Sequence, residues 1–343
     1  MPRRTHAQLD LFQSPAAAPQ EQVVGAAAAS PELVAVAQRL PQDIYPGTSS
    51  WAFPGWQGLV YDRIASESQL ARHGLAAYAQ HPLLRAVGLD RTYYAPLPAA
   101  DFAAYAAVVP DAFRFLVKAH ALCTHAYMTR RNRAAARPGE RNALFLDAAY
   151  ATEQVVGPCM EGLSHKAGPL VFQFPPQDVQ AVGGPQGFAE RLHAFLAALP
   201  RGPLYAVELR NTELLVPAYA AALADLGVCH CYNVHPRMPA LHIQQCVAST
   251  AAPALVVRWM LHPRLGYDAA TVRYQPFDRL IDADTSNRAA IARLCLEAVT
   301  RGCPAYVIAN NKAEGSAPLT VFRLAECIVD PHLTPVRHGH ATS

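Results

Sequence analysis

Little in this sequence is charged. Asp, Glu, Lys and Arg together make up 16% of the 343 residues, and the formal charge is +3. A balance so close to neutral is too small to imply a nucleic-acid partner. The one local cluster is Arg130, Arg131, Arg133, Arg137 and Arg141. Eight cysteines contain no C-x-x-C pair, which argues against a zinc ribbon or a disulfide framework and for small buried hydrophobes in a reducing compartment. The opening residues lack an apolar signal core, and no stretch offers eighteen uninterrupted apolar residues. The expectation is a cytoplasmic protein with no membrane partner. H-E-x-x-H, Walker, G-x-S-x-G and EF-hand patterns are all missing, so no metal and no cofactor is indicated.

Hydrophobic residues are plentiful at 52%, enough for one large core. Residues 1–40 are rich in Ala, Pro and Gln and read as a poorly ordered arm, with a short helix possible over 31–40. Residues 331–343 read as a loose tail. Between them, 41–330 read as one domain in which strand-like runs alternate with helical patterns. The strand runs are 43–48, 87–94, 113–119, 170–174, 204–211, 228–234, 254–260 and 305–309. Ser66 with Gln69 makes a capping box for the first intervening helix, and Asp101 is placed as the cap of an alanine-rich helix reaching Val109. Helical patterns follow over 142–168 with a break at Gly157-Pro158, over 188–199, over 212–226 despite Pro217, over 286–300 and over 319–328. Residues 241–249 and the passage through Tyr267 and Pro276 read as less regular.

Eight strands alternating with helices predict an α/β fold, a closed (β/α)8 TIM barrel. An open doubly wound sheet ranks lower, because no G-x-G-x-x-G follows the first strand. Ligands of such barrels sit at the C-terminal strand ends. Those ends carry Ser49, Ser50 and Trp51; Tyr93 and Tyr94; Lys118, His120 and His125; Gln173; Glu208 and Arg210; Asn233 and His235; Arg258 and Trp259; and Asn310, Asn311 and Lys312. Strand periodicity puts Glu208 and Arg210 on one face, where they either close the barrel as a structural ion pair or face a ligand. In the second case Glu208 is the candidate general acid or base, with Lys118, Arg210 and Arg258 holding an anion. His120 and His125 are candidate proton carriers, and Trp51, Tyr94 and Trp259 are candidate stacking surfaces.

The run Gly47-Thr48-Ser49-Ser50-Trp51, followed by Gly55-Trp56-Gln57-Gly58 and Tyr61, resembles the opening motif of the YecE-like family of uncharacterised proteins. The likeness continues at Thr92-Tyr93-Tyr94, Phe115-x-Val117-Lys118, Thr124-His125, Phe172-Gln173-Phe174-Pro175-Pro176, Val207-Glu208-Leu209-Arg210 and Asn310-Asn311. The resemblance implies a TIM barrel with Ser50, Trp51, Tyr94, Lys118, Gln173, Glu208, Arg210, Arg258 and Asn311 around its pocket, and it implies no particular reaction. Two departures stand out. Gly88 takes the place where many relatives carry an acid, with Asp90 two residues later. Trp259-Met260-Leu261 follows Arg258 where many have Leu-His-Gly. The leading functional expectation is an enzyme acting on a phosphorylated or otherwise anionic small molecule. The alternatives are a non-catalytic small-molecule binder and, more weakly, a nucleic-acid binder using the basic cluster and the N-terminal arm.

Overall fold

The computed structural model describes residues 23–128, 139–248 and 252–330. Eight strands run β1 (Ile44–Thr48), β2 (Ala86–Leu89), β3 (Arg114–Lys118), β4 (Ala167–Gln173), β5 (Tyr205–Glu208), β6 (Cys229–Val234), β7 (Leu255–Trp259) and β8 (Ala305–Ala309). All pair in parallel in sequence order, and β8 closes on β1 from Ile44 opposite Ala305 to Thr48 opposite Ala309. The fold is the expected closed α/β barrel. The basic cluster, apart from Arg141, lies outside the described residues, as do 1–22 and the tail from 331.

Alternation along each strand sorts the side chains into two cores. Val87, Phe115, Val117, Phe172, Val207 and Val257 pack outward under the helices. Ala86, Leu116, Val171, Ala206, Cys229, Cys231, Val256, Tyr306 and Ile308 fill the barrel interior. Gly168 on β4 leaves room for the Tyr306 ring, which a Cβ there would meet at 3.3 Å. Burial pushes the Cys229 thiol up to about 12, which suits a packing role.

Several elements differ from their sequence-based reading, each for a local reason. The second strand stops at Leu89, because the Thr92 hydroxyl donates to the carbonyls of Leu89 and Lys118, both at 2.6 Å, and turns the chain into a short helix over Arg91–Tyr93. Asp101 does not cap its helix; Ala99–Ala107 starts directly after Pro98, which places Asp101 in the first turn. The helix expected from 142 starts at Ala148. A widened π turn at Thr152–Val156 carries it through Pro158 to Leu163 without the expected break, after which 167 and 168 join β4. Pro217 starts a helix instead of sitting inside one, following a short turn at Thr212–Leu214. Tyr267–Tyr274 is a helix of its own. At the N-terminal side, Pro31–Arg39 is helical, and Arg85 ties it to the barrel by donating to the carbonyls of Ala37, Leu40, Pro41 and Ile44.

The glycine motif after β1 has a steric reason. A Cβ on Gly55 would lie 1.8 Å from the carbonyl oxygen of Pro276, whereas one on Gly58 would meet nothing within 4 Å. Gly58 instead has a φ of +74°. Gly55→Ala is expected to cost on the order of 3 kcal/mol through backbone displacement, and Gly58→Ala about 1 kcal/mol through its left-handed conformation. Urea unfolding of the two variants checks the ranking, and equal losses would refute it.

Candidate functional site

The interior face of the barrel continues upward into charge. Two residues beyond each apolar interior position stand Lys118 above Leu116, Gln173 above Val171, Glu208 above Ala206, Asn233 above Cys231 and Arg258 above Val256. Strand register levels them: Gln173 is opposite Glu208, and Asn233 is opposite Arg258. One further step along the same parity reaches Arg210 after β5 and Asp90 after β2. The sequence pattern therefore delivers a polar layer to the C-terminal mouth, on top of an apolar plug that closes the bottom.

Glu208 sits at the centre of this layer and is fully buried. Arg258 Nη1 donates to its Oε2 at 2.6 Å, and Arg210 Nη2 pairs with its Oε1. Arg258 also reaches across the mouth, its Nη2 lying 2.9 and 3.2 Å from the two Asp90 oxygens. Burial alone raises the pKa of Glu208, but Arg210 and Arg258 outweigh it and hold the carboxyl down at about 2. Burial opposes the charge on Arg258, which Glu208 and Asp90 more than restore. For Arg210 burial dominates and the pKa falls. Two guanidinium nitrogens of Arg210, Nε and Nη1, and Nε of Arg258 are buried without a hydrogen-bond partner among the described residues, as is Oδ1 of Asn233.

Lys118 adds the third cation. Its Nζ lies 3.6 Å from the centroid of the Tyr93 ring. Burial, reinforced by Arg258 and Arg210 and opposed by Asp90 and Glu208, pushes its pKa down to about 8. The Tyr93 hydroxyl is hydrogen-bonded to His125 Nε2. His125 is pushed down to about 4, by burial first and then by Lys118 and His120, which favours a neutral partner for Tyr93. His235 is likewise held near 4 by burial and by Arg210.

The structure thus brings together Lys118, Gln173, Glu208, Arg210 and Arg258 from the expected set. Tyr94 is 63% exposed at the rim and meets Tyr93 edge-on. Trp51 does not face the mouth: its indole nitrogen donates to the Leu70 carbonyl, and its ring packs against Tyr105 in the outer core. Asn311 is also buried elsewhere, its side-chain oxygen accepting from Trp56 Nε1 and from the Ala317 backbone. Asn310 donates to the Ser49 hydroxyl at 2.8 Å and accepts from the Lys312 backbone. Ser50 accepts from the Ala52 backbone through its hydroxyl, and its carbonyl accepts from Thr48. Interior parity runs through Tyr45, Gly47 and Ser49, so Ser49, not Ser50, shares the face of the polar layer. Asp90 and Tyr93 complete the cluster; their signal was a lone acid two residues past Gly88 and an aromatic before Tyr94.

Among the described residues no three His, Cys, Asp or Glu side chains converge as a metal set requires. No described helix is long and apolar enough to cross a membrane.

A family model described as "Protein of unknown function DUF72" matches residues 45–338. Two solved structures of DUF72 family proteins are similar. The one from Enterococcus faecalis V583 shares 18% identity with a TM-score of 0.54, covering 83% of this chain and 95% of its own. The one from Thermotoga maritima MSB8 shares 19% identity with a TM-score of 0.55, covering 84% of this chain and 99% of its own. At such identity the likeness concerns the fold. No curated protein matches.

Proposed function

This chain belongs to the DUF72 family, of unknown function, and from the chemistry of its own barrel mouth we propose an enzyme that acts on a phosphorylated or otherwise anionic small molecule. The observation that carries this reading is a charge imbalance. Three cations, Lys118, Arg210 and Arg258, share the layer with two carboxylates, Glu208 and Asp90. The carboxylates fix the two guanidiniums in place and, among the described residues, leave three of their nitrogens without an acceptor. Unmatched donors on braced, desolvated arginines are suited to the oxygens of a phosphate or carboxylate. Lys118 is the group able to gain and lose a proton near neutral pH. In this reading Glu208 braces and does not carry protons, since a carboxyl held near 2 is mismatched to that task. The same observation is what favours the second reading, a binding protein without turnover.

Inorganic phosphate and a panel of carboxylates test the anion clamp by thermal shift. At a concentration a hundredfold above its dissociation constant a ligand stabilises the fold by about 2.7 kcal/mol. Arg210→Met is expected to abolish that shift, whereas Arg323→Ser, at an exposed pair with Glu326, leaves it intact. A panel that stabilises neither protein, or both variants equally, would remove the clamp. Turnover of any hit then separates enzyme from binder.

A further inference from the structure

Of the 29 basic residues only three are lysines: Lys118, Lys166 and Lys312. All three are buried, and Lys166 is committed to the fold by hydrogen bonds. Lys166 Nζ donates to the carbonyls of Ala106 and Val109 at 2.9 and 2.8 Å and lies 3.3 Å from Asp111. Lys312 Nζ rests over the Tyr267 ring at 4.3 Å, beside Phe277. Lys118 makes no ion pair with any described carboxylate and no described hydrogen bond through Nζ; its amine rests only on the Tyr93 ring.

A chain that uses arginine for almost every positive charge has placed an amine where two guanidiniums already supply the charge. Arginine cannot be deprotonated in a protein, so what lysine adds at this position is a lone pair. We propose that Lys118 is a nucleophile that forms an imine with an aldehyde or ketone group of the anionic substrate, while Arg210 and Arg258 hold the substrate's carboxylate or phosphate. The proposal rests on the anion clamp above. Desolvation beside other cations is a recognised way to keep a lysine amine neutral and nucleophilic, and burial together with Arg258 and Arg210 brings this one to about 8.

In the step itself, the neutral Nζ lone pair attacks the carbonyl carbon and the C–O π pair moves to oxygen. The oxygen takes up a proton as the nitrogen loses one, giving a carbinolamine. Protonation of its hydroxyl and loss of water, as the nitrogen lone pair forms the C=N bond, yields the protonated imine. Overall, amine, carbonyl and one proton become iminium and water, with no oxidant or reductant required. Tyr93, with its hydroxyl bonded to His125, is a positioning residue that carries the amine on its ring.

The three-lysine composition makes the test direct. The full-length protein is incubated with glyoxylate and sodium cyanoborohydride, which delivers hydride to the iminium carbon and fixes the adduct as a secondary amine, and the modified residues are mapped by peptide mass spectrometry. Labelling at Lys118 is expected to exceed that at Lys166, Lys312 and the N-terminal amine each by on the order of tenfold. It should rise with pH up to about 8 and then level off, and inorganic phosphate should suppress it. Glycolate, an anion without the carbonyl, leaves no adduct. Lys118→Arg keeps the charge and loses the label, and the wild-type map stands without that variant. Labelling spread evenly over the lysines, or confined to the N-terminus, overturns the proposal. If phosphate stabilises the protein through Arg210 while Lys118 stays unlabelled, the imine falls and the anion clamp stands. Selective labelling of Lys118 with no phosphate effect leaves the amine standing and removes the clamp.

Discussion

Replacing Arg258 with methionine is expected to lower the stability of the fold by on the order of 3–5 kcal/mol. Among the described residues Arg258 is the one side chain paired with both acids of the mouth, Glu208 at 2.6 Å and Asp90 at 2.9 Å. Its removal leaves Glu208 fully buried with Arg210 as its one remaining partner. Asp90 suffers less, because its side chain is one-third exposed and water takes over part of the lost interaction. The penalty therefore comes mainly from an under-compensated buried carboxylate and not from the pair's own attraction, which burial largely cancels. An exposed pair gives the contrast: Arg323→Ser, which breaks the contact with Glu326, is expected to change stability by less than about 1 kcal/mol. Urea unfolding of both variants measures the difference. A loss below about 1 kcal/mol for Arg258→Met would mean that the cluster is not what holds Glu208 in place.

The barrel was legible because its signals are local and repeated. Each strand is a short β-rich run, and β8 is legible to the residue at 305–309 because glycine and proline, Gly302 and Pro304, bound one side and Asn310-Asn311 the other. Tertiary hydrogen bonds erased the strand character of 90–94: nothing near Thr92 in sequence announces that its hydroxyl will bridge two neighbouring strand ends. In the site, the pairing of Glu208 with Arg210 is readable from a spacing of two, since Arg210 follows the end of β5 at Glu208 on the same parity. The join between Asp90 and Arg258 was not, because it spans 168 positions and depends on where two strands end around a closed ring. Trp51 and Asn311 misled for the opposite reason. Asn311 sits one position off the interior parity of Tyr306 and Ile308, whereas Trp51 keeps that parity but lies in the loop past β1, where its indole turns to the Leu70 carbonyl, and an aromatic or an amide looks the same in sequence whether it packs or binds.

Glu208→Gln separates the two roles open to the central carboxylate. A proton carrier would lose turnover while the fold kept its stability. A brace would lose stability, because glutamine keeps the shape but leaves Arg210 and Arg258 opposed by Asp90 alone. The brace also carries a pH signature whose sign is fixed. Glu208 has an ordinary pKa of 4.5 and is held at about 2 in the fold, so between those values the unfolded chain binds more protons than the native one. Its contribution is fully present above about 4.5, falls as the pH drops through that window, and is gone below about 2. A separation of that size corresponds to on the order of 3 kcal/mol. Wild type and Glu208→Gln should therefore differ by about that much at neutral pH and converge as the solution is acidified toward the folded pKa, where the wild-type carboxyl becomes as neutral as the amide. Denaturant unfolding of the two proteins across an acid series reads this convergence directly. A difference that stays constant with pH would show that the charge of Glu208 contributes nothing to holding the arginines, and the clamp they form would then need another support.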